Sequence, residues 1–197
     1  MKEFLQQLKS SYALLIYLAF LLIFRYISNG IIFAKVGDTE FIFKNFLIYN
    51  YAFNTITFLL KLSFISLIII GGALFYGFKI KSKQIFKTVI LASFVYFIKY
   101  IAVLIWAMFN WQTYTNESLL AFNTKSFLEF KVGDTDSILS QFLKNFSFYD
   151  ILFTLSLILF LKLLSGIQWK QSTKIILSTY VPAIVIYALL INLLIDF

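Results

Sequence analysis

Cysteine and histidine are absent, proline occurs once, and charged residues fill only 13% of the 197 positions. Without cysteine there are no disulfides or thiol nucleophiles. Without histidine there is no imidazole base, no histidine-ligated haem and almost no route to a zinc site. The shortage of charge excludes a water-soluble globule, which carries about a quarter charged and half apolar residues. Here 61% of the chain is hydrophobic and the mean hydropathy is +0.88. No glycine-rich phosphate loop, serine nucleophile elbow or metal-ligand spacing occurs either, so no catalytic residue, metal or cofactor is expected.

What the chain has is apolar runs of membrane length. Five stand out, at 11–33, 55–78, 86–109, 149–168 and 175–195, each near the roughly 20 residues a helix needs to cross a ~30 Å hydrocarbon layer. The expected class is an all-α integral membrane protein with five transmembrane helices. The first run is followed by Ser28-Asn29-Gly30 and not by a small-residue cleavage pattern, which predicts an uncleaved signal anchor.

Orientation follows from the distribution of cations. With the N-terminus in the cytoplasm, Lys2, Lys9, Lys79, Lys81, Lys83, Lys87, Lys170 and Lys174 face inward with Glu3 as the one acid. The opposite side carries Lys35, Lys44, Lys125, Lys131 and Lys144, outnumbered by its acids. The positive-inside rule then gives N-in and C-out. The net charge of +8 is mostly this inner-face excess, so nucleic acid is not an expected partner and membrane lipid is.

The sequence also repeats itself. Lys35-Val36-Gly37-Asp38-Thr39-Glu40 returns as Lys131-Val132-Gly133-Asp134-Thr135-Asp136, and Lys44-Asn45-Phe46 with Tyr49, Asn50 and Phe53 returns as Lys144-Asn145-Phe146 with Tyr149, Asp150 and Phe153. Then Lys83-Gln84-x-x-Lys87 is matched by Lys170-Gln171-x-x-Lys174. The implied plan is a single transmembrane domain, 1–197. It comprises a first helix over 1–34 and two helical hairpins, 35–109 and 131–197, related by a parallel pseudo-twofold axis along the membrane normal.

Each element of the repeat admits a structural and a functional reading. The outer segments, with Gly37, Asp38, Glu40, Gly133, Asp134 and Asp136, suit turns leading into amphipathic collars over 41–53 and 138–148. They either scaffold the bundle or form a joint site. The basic turns carrying Lys83, Lys87, Lys170 and Lys174 read as anchors on anionic inner-leaflet lipid or as a contact for a cytoplasmic protein.

Cations inside the apolar runs are more pointed, because a charge at helix centre costs about 2.5–3.5 kcal/mol on insertion scales. Arg25, Lys61 and Lys99 fall in one layer in the outer half of the membrane, while Lys162 lies nearer the inner face. Either these side chains snorkel to the headgroups, or the first three converge on an anionic lipid or pair with Asp150 or the outer acidic loops.

Two stretches resemble the Yip (Ypt-interacting protein) domain family of five-helix membrane proteins: Gly77 to Phe94, similar to the basic turn and third helix of bacterial members, and Leu143 to Leu152 leading through Gly166 to Lys174 and Pro182, similar to their last hairpin. Where those relatives carry a proline early in the third helix, this chain reads Ala92-Ser93-Phe94-Val95-Tyr96. The resemblance implies a non-enzymatic accessory or scaffold protein of a larger membrane machine, with other integral membrane proteins, such as an ABC exporter or secretion machinery, as partners. The alternative from the residues alone is a small transporter or lipid-handling protein with a cationic site in the outer half of the bilayer. Abundant Lys, Ile, Phe and Asn fits an AT-rich bacterial genome and hence the cytoplasmic membrane of a bacterium.

Overall fold

A computed structural model describes residues 7–36, 40–110, 113 and 148–195. Among them the chain is helical throughout, with no strand. The helices are α1 (Ser10–Val36), α2 (Glu40–Phe75), α3 (Ser82–Ser93), α4 (Val95–Phe109), α5 (Phe148–Ser165) and α6 (Trp169–Ile195). Four stretches, in α1, in α2, across α3 and α4, and in α5, are long and apolar enough to cross a membrane. Between 22% and 41% of the residues in each are buried, so most of their apolar side chains face outward. Leu15, Ile23, Phe64, Leu67 and Leu155 are examples, each more than half exposed, which suits hydrocarbon as the surrounding solvent.

The two turns, α2 to α3 and α5 to α6, share one design. In the first, Gly77 sits at φ 71°, its N–H donates to the Leu74 carbonyl at 2.9 Å, and the Phe78 N–H donates to Ala73 at 2.8 Å. That is a Schellman cap, which needs a left-handed residue after the helix. In the second, Gly166 at φ 74° donates its N–H to the Lys162 carbonyl at 3.1 Å, the simpler left-handed cap. The helix that follows then starts the same way twice. The Gln84 side-chain oxygen accepts the Lys81 N–H at 3.3 Å, and the Gln171 oxygen accepts the Gln168 N–H at 3.0 Å, each closing a donor that a helix start leaves open. The glutamine of the repeated K-Q-x-x-K is thus a helix cap.

The hairpins pack reciprocally. α3 lies on α5 and α2 lies on α6, so exchanging one hairpin for the other maps one contact onto the other. Gln84 Nε2 donates to the Leu164 carbonyl at 2.9 Å, and Lys174 Nζ lies 4.3 Å from the centre of the Tyr76 ring. Ser10 Oγ donates to the Lys83 carbonyl at 3.5 Å, so both turns and the start of α1 gather at one end of the bundle. The core is built from Ile85, Val89 and Ile90 of α3, Phe153, Leu157 and Leu161 of α5, and Ile175 and Ile176 of α6, all completely buried. α1 packs on α3 and α4 and leaves a gap towards α2 that side chains line.

Three expectations change. The segment 41–53 is not a collar of its own, since α2 is one helix of 36 residues, roughly 54 Å long at 1.5 Å per residue. The third apolar run is divided at Phe94, where Phe94 donates to Leu91 and Phe97 to Phe94 in the tighter i to i−3 pattern. The Ser93 hydroxyl donates to the Val89 carbonyl at 2.8 Å, a side-chain bond of the kind that bends helices. Lys87, expected as a surface anchor, is only 6% exposed, because the face of α3 that carries it lies inside the bundle. α6 runs through Pro182 without interruption.

Candidate functional site

The gap beside α1 encloses a pocket of about 310 Å³. Tyr17, Leu21 and Arg25 come from α1, four residues apart and therefore on one helix face. Asn54, Phe58, Lys61, Leu62 and Ile65 do the same on α2. The far wall is Ser93, Tyr96, Lys99 and Tyr100 at the junction of α3 and α4, with Phe153 from α5.

Arg25, Lys61 and Lys99 therefore line one pocket, each from a different helix, α1, α2 and α4. Arg25 and Lys99 lie about fifteen and seventeen residues from the turn end of their helices, Lys61 about fourteen and Asp150 about fifteen from theirs, or roughly 21–26 Å along the axes. All four occupy one layer. Asp150 does not line the pocket itself but accepts a hydrogen bond from Tyr96 Oη at 3.1 Å, and its carboxylate lies within electrostatic reach of Lys61 and Lys99.

The walls hold these groups by aromatic packing. The Tyr96 ring stacks on Phe153 at 5.3 Å and carries Lys61 Nζ 5.0 Å above its centre, a favourable place for a cation. Tyr17 stacks on Phe58 with ring centres 4.5 Å apart, bridging α1 and α2, and packs edge-on against Phe94. Lys61 lines the pocket and is exposed overall, so it stands at the cavity's edge beside α2. Arg25 Nε is buried and has no hydrogen-bond partner among the described residues. A buried guanidinium donor left open in this way is one that a ligand oxygen can fill.

Tyr96, Tyr17 and Asn54 were not singled out from the sequence. The signal was spacing: Tyr96 precedes Lys99 by three residues, and Tyr17 precedes Arg25 by two four-residue steps, which sets each aromatic on the face of its cation.

The remaining sequence candidates lie elsewhere. Gly37, Asp38, Gly133, Asp134 and Asp136 fall outside the described residues, and Glu40 opens α2 with its side chain undescribed. Lys83, Lys170 and Lys174 are exposed at the turn end, away from the pocket, and Lys162 lies over the Trp169 ring at 5.3 Å. Among the described residues no group of three or more acidic, histidine or cysteine side chains could hold a metal ion. Compared with known protein families, curated proteins and solved structures, the chain matches none.

Proposed function

We propose that this chain is a non-enzymatic, multi-pass protein of a bacterial cytoplasmic membrane that binds an acidic headgroup in the pocket between α1 and α2. The observation that carries this reading is the convergence of Arg25, Lys61 and Lys99 on one cavity. Three unrelated snorkelling side chains would point to the nearest water. These three instead line one cavity, at a depth where every charge costs about 2.5–3.5 kcal/mol. The open donor on Arg25 and the exposure of Lys61 give the ligand a contact and a way in. In the N-in, C-out arrangement with five crossings, the layer falls in the outer half of the bilayer, facing the outer leaflet.

The test is native mass spectrometry of the purified protein in a mild detergent. Co-purified anionic lipid is expected in the wild type, and less of it in Lys99→Gln at equal expression. Equal lipid in both refutes the reading. Fusions of reporter domains after Lys83 and Lys170 are expected to report the cytoplasm.

The Yip resemblance supports a second proposal, an accessory subunit of a transport or export complex. A stoichiometric membrane-protein partner that survives the same purification is its signature, whereas bound lipid alone counts against it.

A further inference from the structure

We infer, resting on the reading of the pocket as an acidic-headgroup site, that its ligand is a phosphate monoester bearing close to two negative charges. Charge, shape and size each point there. Arg25, Lys61 and Lys99 bring three positive charges to the layer, and Asp150 is the one carboxylate beside them among the described residues. Among the described residues two positive charges are left over in a low-dielectric wall, where an unbalanced charge is expensive. A phosphodiester or a fatty-acid carboxylate carries one negative charge and leaves half of that excess in place. A phosphate monoester at neutral pH carries about −1.5 to −2 and removes it.

The donors suit the same group. The three cations stand on three walls, α1, α2 and α4, around a common space. A monoester phosphate presents three free oxygens in a tetrahedral array, each able to accept more than one bond; the Arg25 fork with its unpartnered Nε fits two of them side by side, and Lys61 and Lys99 share the third and the lone pairs left over. The cavity of about 310 Å³ is at the small end of the roughly 300–1,000 Å³ that whole-ligand pockets occupy. It takes a headgroup, with any hydrocarbon tail left to the bilayer past the edge beside Lys61.

The experiment is competitive binding to the full chain in nanodiscs, with phosphatidic acid as the monoester, phosphatidylglycerol as the singly charged diester and inorganic phosphate alone as the tail-free monoanion and dianion mixture. Phosphatidic acid is expected to bind roughly tenfold tighter than phosphatidylglycerol, the worth of one charge-assisted contact. That preference should vanish in Arg25→Gln and Lys99→Gln and survive in Lys170→Gln at the far end of the bundle. A measurement needing no substitution guards against variants that misfold. Lowering the pH from about 8 to about 5 carries the monoester through its second ionisation near pH 6, and the ratio of the two wild-type affinities should fall toward one, the diester cancelling the protein's own titration. If inorganic phosphate displaces phosphatidic acid as well as a short-chain phosphatidic acid does, the monoester chemistry stands and its source is soluble. Equal binding of the two lipids at about pH 8 overturns the monoester inference and leaves the acidic-headgroup site intact. Binding of none of the three overturns both.

Discussion

At Gly72, α2 lies close against Thr179 of α6, and the contact offers a sharp test of the packing. A Cβ placed on Gly72 would collide with the Thr179 methyl group, and would sit 3.0 Å from Thr179 Oγ1 and 3.2 Å from its Cβ. Thr179 cannot easily turn aside, because its hydroxyl donates to the Ile175 carbonyl at 2.7 Å and a β-branched side chain in a helix has few rotamers. Gly72→Ala therefore forces the two helices apart or breaks that bond, an overpacking that costs about 1–3 kcal/mol. Neighbouring Gly71 has nothing within 4 Å of the same added carbon. Gly71→Ala carries only the helix-propensity gain, up to about 1 kcal/mol. The two alanine variants, alike in composition and one residue apart, should differ in stability by about 1–3 kcal/mol or more, roughly 3–10 °C in the unfolding midpoint for a chain of this size. Thermal unfolding in a fixed detergent measures it, and Gly72→Ala with Thr179→Ala should recover most of the loss as a coupled pair. Equal midpoints for the two single variants would refute the α2 to α6 contact described above.

Two further outcomes follow from hydrogen bonds. Gln84→Ala removes both the cap on Lys81 and the bond to the Leu164 carbonyl, while Gln171→Ala is expected to lose its cap on Gln168; the first should lower the unfolding free energy by about 1 kcal/mol more than the second in denaturant titration. Asp150→Asn weakens the acceptor of Tyr96 Oη and removes a negative charge facing Lys61 and Lys99. It should destabilise the chain by about 1.5–3 kcal/mol, the range for bonds to charged groups, and Lys99→Gln in the same chain should return part of that. Additive effects of Asp150→Asn and Lys99→Gln would argue against their coupling.

Much of the pocket was legible because a cation stands out in an apolar run. Counting rise from the helix ends put Arg25, Lys61 and Lys99 in one layer, and the pocket walls gather the same three. The K-Q-x-x-K repeat is legible as a pattern, but it is the glutamine and not the lysines that makes the recurring bond. Lys87 shows why: one turn inside α3, its burial depends on helices distant in sequence packing on α3, which no local pattern reports. The Tyr96 to Asp150 bond joins residues 54 apart, and nothing at either position announces the other. The length of α2 was missed for a different reason. Its start, from Glu40 onward, reads as an interfacial segment, yet 40–53 holds no proline or glycine that would end a helix.

The bonds at the turn end have a mechanical consequence. Ser10 with Lys83, Gln84 with Leu164, and Lys174 with Tyr76 fasten the first helix and both hairpins together there, while at the pocket layer ring contacts and the Tyr96 hydroxyl bridge the elements. A relative swing of the hairpins that keeps those bonds has its fulcrum at the fastened end, and the pocket layer sits far out on the lever arm. A rotation of about 5° about that fulcrum shifts Phe153 and Asp150 of α5 against Tyr96 of α4 by roughly 2 Å, while every bond at the turn end keeps its partner.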